Sequence, residues 1–222
     1  MKNFLKRLLV GKEARVYEIK YGIAKGIKIF LDPKDRSLRY FALEESELQS
    51  YFKKFSPKCE VFIDLGSSDG YYPLIYRKLN FSGEIYSFEV QEIQAVEQPK
   101  NFEQNGFSTN NLHVIQKYAS DVIDDMNVTV DSIVNVKGKK VFFKIDIEGA
   151  ELMAMHGAKE LLKNNSCSII VETHAKELDE QCIIFLQSLG YSTKIVEYAW
   201  YRAIIPEKRS LAHNRWIVAE KS

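Results

Sequence analysis

Cysteine is scarce in this chain of 222 residues. There are three, Cys59, Cys167 and Cys182, and no two form a C-x-x-C pair. An odd, scattered set argues against a disulfide framework and a cysteine-built zinc centre, and it points to a reducing, cytoplasmic setting. A net charge of one sign is also missing. The 31 basic and 30 acidic residues leave a formal charge of +1. No long-range field gathers nucleic acid, and no nucleic-acid partner is expected. There is no run of about eighteen apolar residues, so no transmembrane segment is expected. Met1 to Val10 mix bases with apolar side chains, but the stretch is too short and too charged for a secretory signal. It reads as a helix packed on the domain or a frayed end, with a membrane-surface helix as the alternative. Internal repeats and low-complexity stretches are absent too.

What is present is an apolar fraction of 45%, enough for a sizeable core in a single α/β domain. Residues 14–31 read as a strand pair, with Val16, Tyr17 and Ile19 facing Ile27, Ile29 and Leu31 across a connection punctuated by Gly22 and Gly26. Residues 44–55 read as a helix with Leu48, Tyr51 and Phe52 on one side. Strands and helices then alternate. Strands are expected at 60–65, 84–89, 112–116, 140–146 and 167–172. Helices are expected at 71–79, within 92–105, at 150–162 and at 176–189. A short irregular stretch follows the third of these strands. Two last strands, 191–197 and 216–220, have only a long loop between them and should form an antiparallel hairpin at a sheet edge. Alternation of this kind means a mostly parallel sheet covered on both faces, and the unbroken apolar runs fit doubly buried strands. The expected division is an N-terminal extension, 1–55, packed on a core domain, 56–222.

The segment Asp64-Leu-Gly-Ser-Ser-Asp-Gly-Tyr-Tyr72 follows the first core strand. In such sheets ligands bind beyond the carboxyl ends of the strands, where strand order reverses. Glycine there lets the backbone approach a ligand. The spacing is Asp-x-Gly-x-x-x-Gly, not the G-x-G-x-x-G of a dinucleotide fold, and no Walker lysine follows. Asp64 would stand close to any phosphate. An anionic ligand is disfavoured, and one carrying an ammonium and a sulfonium suits the loop. Glu89 ends the next strand, where a carboxylate can accept both hydroxyls of a ribose. The structural alternative makes Asp64 a turn cap and Glu89 a solvated acid.

The loop, together with Phe143-Lys-Ile-Asp-Ile-Glu-Gly-Ala-Glu151 and Ile169-Ile-Val-Glu-Thr-His174, resembles the FkbM-type methyltransferases. The similarity covers roughly residues 58–190, and His213-Asn-Arg-Trp216 is similar to related tails. One position departs: Val90 follows Glu89 where the family usually has proline. The resemblance implies a Rossmann-like class I methyltransferase fold, with a seven-stranded, mostly parallel sheet and an antiparallel edge strand. It implies S-adenosyl-L-methionine as cofactor, and a hydroxyl of a sugar, glycan or natural product as acceptor.

By the same resemblance, Gly66, Ser67 and Gly70 bring backbone to the methionine part of the cofactor, and Asp64 attracts its ammonium. Asp69 and Tyr71 flank that pocket, Glu89 holds the ribose, and Ser120 and Asp121 lie near adenine. Asp146 is expected at the rim, next to the transferred methyl group. Lys144, Asp146 and Glu148 share a side by the period of a strand, although the turn after Asp146 can redirect Glu148. Glu148 is either a helix cap or, with Glu172, an acceptor-binding residue. Lys144 reads first as a partner for a neighbouring acid. His174 ends the next strand over the pocket, where it is a base for the acceptor hydroxyl or a hydrogen-bonded structural residue. His113 and His156 read as structural, and His213 has no assigned place. Tyr198, Trp200, Tyr201 and Arg202 supply either stacking faces for a sugar ring or edge packing.

No H-E-x-x-H, nucleophile elbow or clustered Asp/His set appears in the sequence. The site is therefore expected to work without metal. A divalent cation on Asp146 with Glu172 or His174 is the alternative. A nucleic-acid methyltransferase is a rival enzyme reading, though no Asn-Pro-Pro-Tyr loop occurs. A noncatalytic cofactor-binding or assembly module on the same fold is the rival of another class.

Overall fold

The computed structural model describes residues 13–34, 36–205, 213 and 215–221. The expectation for Met1 to Val10 lies outside the described residues, as does the end of the aromatic loop.

The chain opens with an antiparallel pair, β1 (Arg15–Glu18) and β2 (Lys28–Leu31), in which Tyr17 faces Ile29. A short helix, α1 (Ser37–Tyr40), precedes a 3-10 turn (Ser46–Leu48) that runs into α2 (Gln49–Phe55). The core follows: β3 (Val61–Leu65), α3 (Tyr71–Leu79), β4 (Glu84–Phe88), α4 (Glu92–Gln104) and β5 (Leu112–Ile115). After the crossover come β8 (Lys140–Ile145), α6 (Glu151–Gly157), α7 (Lys159–Asn164), β9 (Ser166–Thr173) and α8 (Lys176–Ser188). Last are β10 (Tyr191–Val196) and β11 (Arg215–Lys221). The intervening stretch is not irregular throughout. It holds a two-residue parallel pairing of β6 (Tyr118–Ala119) with β7 (Asn127–Val128), and α5 (Val130–Ile133), which Thr129 caps through its hydroxyl.

The seven-stranded sheet runs β10-β11-β9-β8-β3-β4-β5. Strands β9, β8, β3, β4 and β5 pair in parallel, and β11 is antiparallel to both of its neighbours. The antiparallel strand therefore lies one place in from the edge. The chain places β10 outermost and returns through the gap between β10 and β9. From β3 the chain builds outward through β4 to β5, then crosses back to lay β8 on the other side of β3. The reversal of strand order, where α/β sheets bind ligands, lies between β3 and β8.

The pleat sorts the sheet's side chains onto two faces. Val61, Ile63 and Leu65 join Val141, Phe143, Ile145, Ile169 and Val171 on the face covered by α6, α7 and α8. Phe62, Phe142, Ile170 and Trp216 join the opposite face, with Tyr17, Ile29, Phe52, Phe55 and Tyr76. Phe52 of α2 stands edge-on to Phe62 and Phe142, with centroids 6.0 and 4.8 Å away. The N-terminal hairpin and α2 thus roof the second face. By the same alternation, the polar residues at the strand ends, Asp64, Lys144 and Glu172, fall under that roof.

The helix expected at 150–162 is two helices with a break at Ala158. Just before the break, Gly157 admits a close approach, since a Cβ there would stand 1.8 Å from the Ser120 carbonyl oxygen.

Candidate functional site

The loop after β3 is held by backbone and buried amide contacts. The amides of Gly66 and Ser67 both donate to the Phe88 carbonyl at 3.0 Å, and the Gly70 amide closes the turn onto the Ser67 carbonyl at 3.0 Å. Gly66 has φ +84°, and a Cβ on it would stand 2.0 Å from the Asp146 carbonyl oxygen. No other residue fits there, and the near-contact joins the loop after β3 to the loop after β8. Gln98 of α4 locks the turn from beneath. Its amide nitrogen donates to Ser67 Oγ and the Ser68 carbonyl, each at 2.8 Å, while its Oε1 accepts from Ser87 Oγ at 2.6 Å. Glu89 stands at the loop mouth, its oxygens accepting the Ser68 and Gln91 amides at 2.8 Å each. Each oxygen keeps a further lone pair for a ligand.

Asp69 and Tyr71 are drawn toward the roof. Arg39, with 4% of its side chain exposed, donates from Nη1 to both Asp69 oxygens at 2.9 and 2.7 Å. It also donates from Nε and Nη2 to Glu44 at 3.1 and 2.7 Å. Its guanidinium lies 4.3 Å from the centre of the Tyr71 ring. The extension and the glycine loop are therefore clamped by one buried cation. Ser120 is buried, with its hydroxyl 3.3 Å from Asp121 Oδ1, and Asp121 is exposed.

Asp64 is fully buried, and among the described residues neither carboxylate oxygen has a hydrogen-bond partner. Burial pushes its pKa up to about 7, against the pull of nearby Lys144. A buried carboxylate without donors is costly. It becomes favourable when a cation arrives. Lys144, also buried, sits with Nζ 2.9 Å from Asp146 Oδ2 and 4.6 Å from the centre of the Tyr72 ring. Burial disfavours its charge, but Asp146, Glu45, Asp64 and Glu172 overcome this and raise its pKa. Tyr72 in turn donates its hydroxyl to Glu45, which holds a left-handed backbone conformation at φ +43°.

His174 sits beside this pair, its ring 4% exposed. Nδ1 bonds Glu151 Oε1, while Nε2 faces Asp146 Oδ1 at 3.6 Å and Glu172 Oε1 at 3.7 Å. Burial lowers the pKa of His174. The bond to Glu151 and the charges of Asp146, Glu151 and Glu148 raise it, and the net shift is upward. Glu172 accepts from the Trp216 indole at 2.9 Å.

Several sequence expectations can now be placed. Asp64, Gly66, Ser67, Gly70 and Glu89 come together around one loop, and Asp146, Glu172 and His174 come together beside it. Glu148 is exposed, past the end of β8, yet its charge still reaches His174. Lys144 does pair with an acid. His213 bonds Asp179 at 3.0 Å. His113 pairs with Glu84 at the surface, and His156 packs on Phe185. Arg202 and Tyr201 are tied to Glu47 and Ser46, so the aromatic loop leans on the roof, while Trp200 is 82% exposed. Arg39, Glu44, Glu45, Tyr72 and Glu151 were not singled out in the sequence. For Glu151 a signal existed, as an acid in the first turn of a helix placed after a strand end. Arg39 and Glu44 are near in sequence, but Arg39 meets Asp69, and Tyr72 meets Glu45, across about thirty residues, too far along the chain to pair from the sequence.

Residues 86–193 match the family profile described as the methyltransferase FkbM domain. No protein of curated function matches the chain in sequence. Among solved structures, an rRNA methylase from Streptococcus thermophilus is 13% identical, with a TM-score of 0.56, over 79% of this chain and 96% of that one. A METTL16 methyltransferase domain is 16% identical, with a TM-score of 0.56, over 88% and 89%. A Streptococcus mutans protein described as a methyltransferase, solved in complex with SAH, is 13% identical, with a TM-score of 0.54, over 81% and 97%. At these identities the likeness shows the fold alone, that of a Rossmann-like class I methyltransferase.

Proposed function

We propose, from the match of residues 86–193 to the FkbM methyltransferase domain profile, that the chain moves the methyl group of S-adenosyl-L-methionine onto a hydroxyl oxygen of a sugar, glycan or natural product. The observation that carries the reading is Asp64: a fully buried carboxylate with no hydrogen-bond donor among the described residues, at the strand-order reversal, beneath a glycine loop. Such a group fits a ligand with an ammonium and a sulfonium, and repels one with phosphates. When bound, the cofactor supplies an already activated methyl group, so the protein's work is alignment and exclusion of water.

The chain's own residues divide that work. Gly66, Ser67 and Gly70 give the methionine end a close backbone wall, with Asp64 below it. Glu89 takes the ribose hydroxyls on its remaining lone pairs. Ser120 and Asp121 form the adenine end, Asp121 from the exposed side. Asp69 and Tyr71 act through Arg39, holding the loop's shape. At the reacting end, Asp146 Oδ1 and His174 Nε2 are the atoms that take the acceptor's proton, with Glu172 beside them. Lys144 fixes Asp146 by its other oxygen, and Glu151 fixes the ring of His174.

Two experiments test this. Calorimetric titration with S-adenosylmethionine separates a cofactor-binding protein from an inert scaffold. Incubation with methyl-labelled cofactor and panels of glycans, hydroxylated small molecules and RNA then identifies the acceptor. Label found on RNA and on no hydroxylated small molecule or glycan overturns the acceptor reading. Binding without transfer to any panel makes the chain a noncatalytic module.

A further inference from the structure

We propose that Asp146, Glu172 and His174 form a site for a divalent transition-metal cation, in place of the metal-free site the sequence suggests. One donor atom from each of the three lies within 4.8 Å of the other two. Around a shared ion with bonds of about 2.0–2.2 Å, donors stand roughly 3–4 Å apart. His174 Nε2 lies 3.6 Å from Asp146 Oδ1 and 3.7 Å from Glu172 Oε1. Both separations exceed a hydrogen bond. Among the described residues, Nε2 is aimed between two carboxylate oxygens without bonding either, on a ring only 4% exposed.

The far side of every donor is also held. Glu151, fully buried, binds His174 Nδ1 and so directs Nε2 at the cluster. The Trp216 indole holds Glu172 Oε2 at 2.9 Å, and Lys144 holds Asp146 Oδ2 at 2.9 Å. Metal ligands are oriented in this way, each by a partner on the atom that does not bind the ion. A structural histidine needs one such partner; here three separate residues each hold one atom of a different donor group. Glu172 and His174 close the site from the interior, and Asp146, 28% exposed, opens it to the cleft.

Two carboxylates and one imidazole suit Mn2+, Zn2+ or Fe2+ better than Ca2+, which prefers oxygen throughout. Three protein ligands leave coordination positions open on the cleft side. If the methyl-transfer reading holds, an oxygen of the acceptor can occupy one of them; with the ion in place Asp146 Oδ1 and His174 Nε2 are ligands, and they take the acceptor's proton only in the metal-free protein. Binding of the ion itself does not depend on that reading.

The test uses the full chain, treated with chelator and free of methyl donor. Mn2+ is titrated and followed by loss of its free electron paramagnetic resonance signal, with Zn2+ as competitor. One Mn2+ per chain is expected. The affinity should fall at least tenfold in His174→Ala and in Glu172→Gln, and about tenfold in Glu151→Gln, a positioning residue. Absence of Mn2+ and Zn2+ binding, or binding unchanged in His174→Ala, overturns the proposal. Should the variants fail to fold, crystals of the wild-type protein soaked in Mn2+ decide. An anomalous peak bounded by Asp146 Oδ1, Glu172 Oε1 and His174 Nε2 supports the site; a peak elsewhere, or none, removes it. Stoichiometric Mn2+ binding with no methyl transfer keeps the ion and discards the enzyme. Methyl transfer by a protein that binds no metal does the reverse.

Discussion

The two halves of the cleft are built differently. The glycine loop is held mostly by neighbours in its own βαβ unit: Phe88, Glu89 and Gln98 supply most of its bonds, and Asn101 adds one to the Asp69 carbonyl. The cluster around Asp146 draws on β8, β9, β11 and α6, and on the roof contributed by the N-terminal extension. Among the described residues, Arg39 is the buried cation that clamps the roof to the loop directly. A local half can be recognised from a motif. An assembled half exists only once the chain has folded, and its polar groups are buried together at high electrostatic cost.

That contrast yields ordered expectations. Asp146→Asn should break the assembled half alone. Methyl transfer should fall about a hundredfold or more, the range for loss of a proton-accepting group, while cofactor affinity changes by about threefold or less. Equal losses in both, by single-turnover kinetics and calorimetry, would return Asp146 to a binding role. Gly66→Ala should break both halves at once. Its Cβ would collide with the Asp146 carbonyl and its backbone is left-handed, so a loss of about 2–4 kcal/mol in stability is expected by denaturant unfolding. An unshifted midpoint would mean that the two loops are not in contact.

Arg39→Ala should uncouple roof from loop. Removing one partner of a buried charge cluster costs about 3–5 kcal/mol, so a lowered melting temperature should accompany weaker cofactor binding; normal cofactor affinity in a destabilised variant would confine Arg39 to the roof. Glu89→Ala should weaken cofactor binding by roughly 1–3 kcal/mol, the worth of hydrogen bonds to a charged group. Unaltered affinity would remove it from the ribose role.

The smallest effect is on pH. Burial holds the Asp64 carboxyl up at about 7, above its ordinary value, so near pH 6 the group is largely protonated. A cationic ligand needs the ionised form. Affinity should therefore fall as pH drops through about 7, and binding at pH 6 should release a proton, an effect that fades at pH 8. Calorimetry in buffers of different ionisation enthalpy reads this directly; no proton release at pH 6 would separate Asp64 from the cofactor.

The local half was the legible one. The helix at 71–79 has the boundaries its pattern suggested, and Asp64, Gly66, Gly70 and Glu89 sit where strand ends and spacing put them. The breaks occur where distant backbone intervenes. Nothing near Gly157 in the sequence shows that Ser120 presses on it, and a pairing as short as β6 with β7 leaves no period to read. Arg39 looks like any surface arginine until Asp69, thirty residues on, is folded against it. His174 could be suspected as a strand-end histidine. Its bond to Glu151, twenty-three residues earlier, could not.

The central claim is that a buried, carboxylate-floored crevice accepts a cationic methyl donor. Titration of the wild-type protein with S-adenosylmethionine at pH 8, beside Asp64→Asn and beside a nicotinamide dinucleotide, tests it most directly. The account predicts one S-adenosylmethionine per chain, weakened at least tenfold by Asp64→Asn, and no heat from the dinucleotide. Binding of the dinucleotide with indifference to S-adenosylmethionine would contradict it.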